Sequence, residues 1–220
     1  MTSLYRIEAS ADEIAGHFGL GPLPDLIVPR DIKPGETGLV VRTTGVGRVL
    51  QRPRWGFPRP HKEGDGHRLP AKPLNLATDL THAMWDKMAA DPRYRCLIPA
   101  TAFAQPEGPP GSLTRTWFSV PDWPILAVAG FCRALEPCGP VYAALTCDSN
   151  AAVGSLNPQM PVILAPDEYD RWLEGSIADV IEFQMRRPVA DECLEIDRTD
   201  ELWVPRRHGR TQAGQSAFLV

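Results

Sequence analysis

The sequence predicts an α+β fold built mainly on antiparallel strands, with helices at its periphery. The 220 residues include 23 prolines and 18 glycines, a composition that disfavours long helices and favours strands joined by turns. The segments 125–132 and 141–146 are apolar enough to form central strands. Ser10 and Glu13 form an S-x-x-E capping box, which predicts a short helix over 11–18. Together these features favour one α+β domain.

The other elements follow from apolar spacing and turn residues. We expect further helices over 78–90, 167–173 and 177–185, the last of them amphipathic and on the surface. Further strands are predicted over 39–41, 46–51, 96–104, 116–120 and 161–164. Two connecting segments are predicted as non-regular, a long loop over 58–73 and a turn over 106–111.

Composition limits the function classes. The net charge of -4 does not favour a protein held on nucleic acid by phosphate contacts, although a local basic patch remains open. The five cysteines are odd in number and include no C-x-x-C, so we expect reduced thiols, no metal site and no cofactor. The N-terminus lacks the apolar segment of a signal peptide and no apolar run is long enough for a membrane span. A cytoplasmic protein is expected, with one domain over 1–205 and a loose tail over 206–220.

An ordered set of segments resembles the SRAP family, the SOS-response-associated peptidases that process abasic sites. The most specific match is YRCLIPA at 94–100, which is close to the family's R-R-C-L-I-P-A. The other matches, in chain order, are RWGFP at 54–58 (R-W-G-L-x-P), LNLAT at 74–78 (I-N-A-R-x-E-T), AFAQP at 102–106 (G-F-Y-E-W), AVAGF at 127–131 (A-G-L-W), LT at 145–146 (end of F-x-I-L-T), NPQMPVIL at 157–164 (H-x-R-M-P-V-I-L) and WL at 172–173. The resemblance covers roughly residues 1–205 and implies an SRAP-like fold with a barrel-like core.

The resemblance also implies a chemistry. SRAP proteins bind single-stranded DNA that contains an abasic site. The α-amine of an N-terminal cysteine condenses with the sugar aldehyde, and its thiolate closes a thiazolidine ring. A glutamate and a histidine transfer protons, an asparagine holds the N-terminus and the sugar, and arginines bind the phosphates.

This chain departs from the family at most of the catalytic positions. Thr2 stands in place of the cysteine, Gln105 in place of the glutamate and Asn157 in place of the histidine, whereas Asn75 is retained. A hydroxyl is a far weaker nucleophile than a thiolate, and an amide cannot transfer a proton near neutral pH. Glu107, two residues beyond Gln105, is interpreted as a solvated turn residue, and the five histidines as surface or loop residues.

The positions that bind nucleic acid in the family are also changed. Leu4, Ala77 and Gln159 stand where the family has arginine, so three charge-assisted phosphate contacts are lost. Thr146 is retained. Trp55 either provides a stacking platform for a base or packs in the core. Binding to single-stranded or abasic DNA is therefore expected to be weakened.

Three functions remain open at this point. The first is a catalytically impaired or inactive SRAP homologue that keeps some DNA or ligand binding. The second is an abasic-site lyase that forms a Schiff base through the α-amine of Thr2, if Met1 is removed. The third is a protein-interaction module without a nucleic-acid role. The sequence contains no Ser/His/Asp or Cys/His arrangement typical of a peptidase, and we expect a monomer.

Overall fold

The computed structural model describes residues 4–58 and 73–204 and contains two β-sheets in that part of the chain. The strands run over Tyr5–Arg6 (β1), Asp31–Ile32 (β2), Val40–Thr44 (β3), Gly47–Gln51 (β4), Arg54–Trp55 (β5), Leu76–Ala77 (β6), Arg95–Ala100 (β7), Ala102–Glu107 (β8), Thr114–Ser119 (β9), Leu126–Leu135 (β10), Gly139–Asp148 (β11), Gln159–Pro161 (β12), Ile163–Leu164 (β13) and Glu195–Leu202 (β14). The α-helices are Ala11–Phe18 (α1), Ala83–Ala90 (α2), Ala151–Gly154 (α3), Tyr169–Glu174 (α4) and Ile177–Met185 (α5).

The larger sheet has the order β12-β11-β10-β7-β3-β4, with β5 and β6 added parallel to β11 and β13 paired with β10. It curls into a half-barrel. The smaller sheet has the order β14-β9-β8-β1-β2 and all its pairings are antiparallel. The predicted α+β class with mainly antiparallel strands and peripheral helices is confirmed. No helix in the described ranges is long and apolar enough to cross a membrane.

Several predicted elements lie where the sequence indicated. α1 begins at Ser10, whose side chain and that of Glu13 form the reciprocal capping box, and it ends at Gly19 in the left-handed conformation. The predicted hairpin is β3–β4, and β10 and β11 are the two central strands. α5 occupies the predicted range Ile177–Met185.

The predicted strand over 96–104 is wrong, because it is two strands in two different sheets. β7 pairs with β10 and β3, whereas β8 pairs with β1 and β9. The break falls at Thr101, whose N–H donates to the carbonyl of Arg6 at 2.7 Å and whose hydroxyl accepts from the N–H of Glu8 at 3.1 Å. These bonds fix the change of direction, and the apolar pattern on both sides gave no sign of it.

Other boundaries also differ from the prediction. The helix predicted from residue 78 begins only at Ala83, because Asp79 accepts hydrogen bonds from the N–H and hydroxyl of Thr81 and holds a turn there. The predicted turn over 106–111 starts later, since β8 continues through Pro106 to Glu107. The strand β14 was not predicted, because its charged sequence lacks the apolar alternation of a half-buried strand. The segments 59–72 and 205–220 lie outside the described residues, so the predicted loop is described only at its ends.

A group of aromatic side chains connects the two sheets. The hydroxyls of Tyr5 and Tyr142 are hydrogen-bonded to each other, which joins the smaller sheet to the larger one. Trp55 lies against both rings. Its ring centroid is 4.9 Å from that of Tyr5, which it meets edge-on, and 6.2 Å from that of Tyr142, on which it stacks. A Cβ at Gly38 would lie 2.0 Å from the Tyr142 hydroxyl oxygen, so only glycine fits at that position.

A buried arginine connects the helices to the larger sheet. Arg95, at the start of β7, is 1% exposed. Its guanidinium donates to the carbonyls of Ala89 at 3.0 Å, Trp172 at 3.2 Å and Gly175 at 2.6 Å. These carbonyls lie at the C-terminal ends of α2 and α4, where helices leave acceptors without intrahelical donors. Burial lowers the pKa of Arg95.

We predict that Arg95→Met lowers the free energy of unfolding by about 3 kcal/mol, because the buried carbonyls of Ala89 and Trp172 and the half-buried carbonyl of Gly175 each lose a donor. For a protein of this size that corresponds to a melting temperature roughly 6–12 °C lower, which calorimetry measures directly. Arg93→Met is the matched control, since Arg93 is exposed and, among the residues that the structure describes, its side chain pairs only with Asp91, and it should melt close to the wild type. Equal melting of all three proteins would contradict the role given to Arg95.

Candidate functional site

Gln105 and Asn157 meet in the interior although they belong to different parts of the fold. Gln105 lies in β8 of the smaller sheet and is 0% exposed. Asn157 lies between α3 and β12, at the edge of the larger sheet, and is 4% exposed. The side-chain Nδ2 of Asn157 donates to Oε1 of Gln105 at 3.0 Å. The two positions that the resemblance assigns to proton transfer are therefore in direct contact.

The backbone around Asn157 fixes the direction of this hydrogen bond. The N–H of Gln159 donates to Oδ1 of Asn157 at 3.2 Å, so the oxygen faces β12 and the amide nitrogen faces Gln105. The main chain of Asn157 is held as well, because its N–H donates to the carbonyl of Val153 and its carbonyl accepts from the hydroxyl of Ser149 at 2.8 Å. The side chain is a positioned donor, and its oxygen already accepts one hydrogen bond.

The chemistry of this pair is limited by its functional groups. An amide nitrogen and an amide oxygen form a neutral hydrogen bond, and neither gains or loses a proton near neutral pH. A general acid or base must change protonation state during the reaction. The Gln105–Asn157 pair can orient groups, but it cannot carry protons between them.

Asn75 and Trp55 are connected through the main chain. The indole N–H of Trp55 donates to the carbonyl of Asn75 at 3.0 Å, and the same carbonyl accepts from the N–H of Ala144 at 3.0 Å. Asn75 is half-buried, just before β6. Trp55 is 2% exposed, so of its two interpretations the structure favours packing in the core over stacking on a base.

The remaining positions that the resemblance assigns to nucleic-acid binding present few polar groups that a phosphate could contact. Leu4 is buried with Ala104 and Trp117 in a small apolar cluster. Ala77 is buried in β6, and its carbonyl accepts from the hydroxyl of Thr146 at 3.4 Å. Thr146 is itself only 1% exposed. Gln159 is half-buried in β12.

Thr2, the position that the resemblance assigns to the nucleophile, lies outside the described residues. The described chain starts at Leu4, whose carbonyl accepts from the N–H of Ala104 at 3.0 Å. Leu4 therefore lies beside the strand residue that precedes Gln105.

Glu107 is not the solvated turn residue that the sequence suggested. It ends β8, and its carboxylate accepts a hydrogen bond from Thr116 and pairs with Arg198 at 3.2 Å. These contacts, the Thr116 bond above all, lower the pKa of Glu107. Thr116 lies directly across from Gln105 on β9. The alternation of side chains along β8 was the available signal, and Pro106 obscured it.

The described histidines have structural contacts. His17 in α1 is hydrogen-bonded through Nε2 to the hydroxyl of Tyr169 at 2.8 Å, and burial lowers its pKa. His82 caps α2 by accepting from the N–H of Met84. His61, His67 and His208 lie outside the described residues. In the described part of the chain no group of His, Cys, Asp and Glu side chains could hold a metal ion.

A cleft of about 890 Å³ opens at Gln159, whose N–H is hydrogen-bonded to Asn157, although Gln105 and Asn157 themselves do not line it. Thr146 and Gln159 line one wall, and α5 lines another. Cys147 also faces the cleft, but burial raises the pKa of its thiol to about 11, so the reactive thiolate is scarce at neutral pH. The sequence indicated that α5 is an amphipathic surface helix, but it did not indicate that the helix faces the same cleft as Thr146 and Gln159.

Known structures share this fold. A crystal structure of a protein from Bordetella bronchiseptica has a TM-score of 0.70 and 22% identity, and the match covers 90% of this chain and 99% of that one. A protein from Bacteroides thetaiotaomicron has a TM-score of 0.69 and 16% identity over 89% of this chain and 90% of that one. A phage-related protein from B. bronchiseptica has a TM-score of 0.65 and 17% identity over 90% and 93%. No curated protein matches the sequence significantly.

The sequence itself matches one family model. The model describes the SOS response associated peptidase (SRAP) family, and the match extends over residues 1–201. That range contains both sheets, apart from the last residue of β14, and all of the site residues described above. The chain belongs to the SRAP family.

Proposed function

We propose that this chain is a non-catalytic SRAP protein, which uses the family's fold to bind a ligand or partner rather than to form covalent bonds with abasic DNA. The observation that carries the proposal is the buried hydrogen bond from Asn157 to Gln105. Two neutral amides occupy the positions where the resemblance expects a proton-transferring glutamate and histidine.

The burial of the pair strengthens this interpretation. Bulk water hardly reaches Gln105 or Asn157, which are 0% and 4% exposed. The hydrogen bond between them satisfies a donor of Asn157 and an acceptor of Gln105, which burial without a partner would leave unsatisfied at a cost in free energy. The pair is therefore a well-formed structural contact, as expected for a site maintained without acid–base catalysis.

The charge of the cleft argues in the same direction. Its walls carry the carboxylates of Asp79, Asp86 and Asp148. Arg186 also lines it, but its guanidinium is paired with Glu168 and donates to the carbonyl of Ile163. Among the described residues, Arg187 is the other cation that lines the cleft. A phosphate backbone is attracted by clustered Lys and Arg side chains, whereas the carboxylates of this cleft outnumber its cations.

We expect the purified protein to form no denaturation-resistant adduct with a single-stranded oligonucleotide that contains one abasic site. The reason is that Thr2 supplies a hydroxyl instead of a thiolate and that the amide pair cannot transfer protons. Denaturing gel electrophoresis after incubation at neutral pH measures the adduct, and the cleaved strand on the same gel measures lyase activity.

Borohydride reduction in a parallel reaction tests the alternative of a Schiff base at the α-amine of Thr2. Intact-mass spectrometry shows whether Met1 is removed, and acetylating the N-terminus shows whether the amine is the reacting group. A stable adduct, efficient strand cleavage, or a trapped species that disappears on acetylation would refute the non-catalytic proposal.

Restoring the family's groups should restore the chemistry. We predict that the triple variant Thr2→Cys, Gln105→Glu, Asn157→His forms the adduct, and that Thr2→Cys alone forms it at least about tenfold more slowly, because positioned acid–base groups typically contribute larger factors than that. The initial rate of adduct formation distinguishes the two. Equal rates would mean that the amide pair does not limit the reaction.

The variant Gln105→Glu should also be less stable at neutral than at acidic pH. Burial raises the pKa of a carboxyl group above its unfolded value of about 4.3. The protonated form of the introduced carboxyl group is then favoured in the folded state, so the free energy of unfolding relative to wild type falls as pH rises above about 4.3. It levels off once the folded-state pKa is passed.

Urea denaturation at several pH values between 4 and 8 measures this trend. Gln159→Glu is the matched control, because Gln159 faces the cleft and a carboxylate there can be hydrated. A stability difference for Gln105→Glu that does not change with pH would show that the site is open to water, contrary to its burial.

A further inference from the structure

The helix α5 presents an apolar face that nothing in the described chain covers. Ile177, Ile181 and Met185 are 41%, 50% and 76% exposed, and all three line the cleft. Their spacing of four residues places them on one side of the helix, whereas Val180 and Phe183 on the other side are buried. A contiguous exposed apolar strip of this kind is typical of an interaction site.

The walls around this strip are acidic. Asp79 precedes α2, Asp86 lies within α2, and Asp148 is the last residue of β11. Within residues 4–58 and 73–204 none of these three carboxylates forms an ion pair. The exposed Arg187 is the cation that opposes these carboxylates in the described chain, because the charge of Arg186 is neutralised by Glu168. The cleft therefore combines an apolar strip with a net negative rim.

We propose that the cleft binds a basic amphipathic helix of a partner protein. The strip from Ile177 to Met185 extends over about 12 Å along α5, roughly two turns. A partner helix with aliphatic side chains three and four residues apart would pack against it, as ridges of one helix pack into grooves of another. Lysine or arginine side chains flanking that apolar face would meet the carboxylates of Asp86 and Asp148.

The same charges disfavour other occupants. A phosphate backbone would face a net negative rim and an aliphatic strip that offers it no hydrogen bond. A second copy of this chain, docked through the same face about a two-fold axis, would bring like carboxylates together. A basic partner is the occupant that neutralises the rim and covers the strip at once.

The inference deepens the proposed function, on which it rests, by naming the class of partner that a non-catalytic cleft would take. The probe is a fluorescein-labelled synthetic helix-forming peptide of about 18 residues, with leucines at helical spacing on one face and lysines on the flanks. A twin peptide with glutamate in place of every lysine is its control. We expect fluorescence anisotropy to show binding of the basic peptide that weakens as salt rises, and at least tenfold weaker binding of the acidic twin.

Variants of the protein locate the binding. Ile181→Gln with Met185→Gln should weaken binding about tenfold, and Asp86→Asn with Asp148→Asn should weaken it and flatten its salt dependence. All four side chains line the cleft, and the two apolar ones are exposed, so their loss removes little folding free energy, which thermal melting verifies. Val46→Gln is the matched control, because Val46 is 92% exposed in the β3–β4 turn and should leave binding unchanged.

Several results would overturn the inference. They are unchanged binding by the Ile181→Gln, Met185→Gln protein, equal binding of the acidic twin, and a wild-type dimer in sedimentation that the same double variant dissociates. An unmodified oligothymidine that displaces the peptide would show a phosphate site and would overturn the partner inference, whereas the non-catalytic proposal would stand. Absence of peptide binding, with no adduct on abasic DNA, removes only the partner inference and leaves the non-catalytic proposal standing.

Discussion

The change of sheet at Thr101 is the constraint on which the rest of the architecture depends. Within one residue the chain leaves β7, which belongs to the half-barrel, and enters β8, which belongs to the smaller sheet. Hydrogen bonds to Arg6 and Glu8 hold this corner against the start of the chain. Because the corner fixes where β8 begins, it also fixes the depth at which Gln105 is buried. The inter-sheet contacts of Asn157 and of the two tyrosines follow from it.

Under the proposed function, the family fold keeps its framework while the groups that the resemblance assigns to its chemistry differ. The segment around Arg95 is nearly the family's sequence, and it has a physical role here, since the guanidinium joins two helix ends to the central sheet. At Gln105 and Asn157 the shape and polarity of the expected side chains are kept, but the capacity to exchange protons is absent. Under the proposal, the residues that stabilise the fold differ from those that the resemblance assigns to catalysis, so the fold can be preserved without the chemistry.

Much of this was readable from the sequence, for local reasons. The capping box of α1 and the apolar strands β10 and β11 are encoded by neighbouring residues, and they were predicted correctly. The corner at Thr101 was not, because its hydrogen bonds come from residues more than ninety positions away. The resemblance supplied Gln105 and Asn157 as site positions. Their direct contact depends on the packing of two sheets, which no local pattern reports.

The outer edge of the smaller sheet bears on how molecules of this protein meet in solution. β14 forms that edge in the described part of the chain, and it carries four carboxylates, Glu195, Asp197, Asp200 and Glu201, against one cation, Arg198. An open strand edge is a template for pairing with another strand, and an excess of one charge repels a second identical edge. Edge-to-edge pairing of two molecules is thereby disfavoured at the longer of the two borders that this sheet has within the described residues.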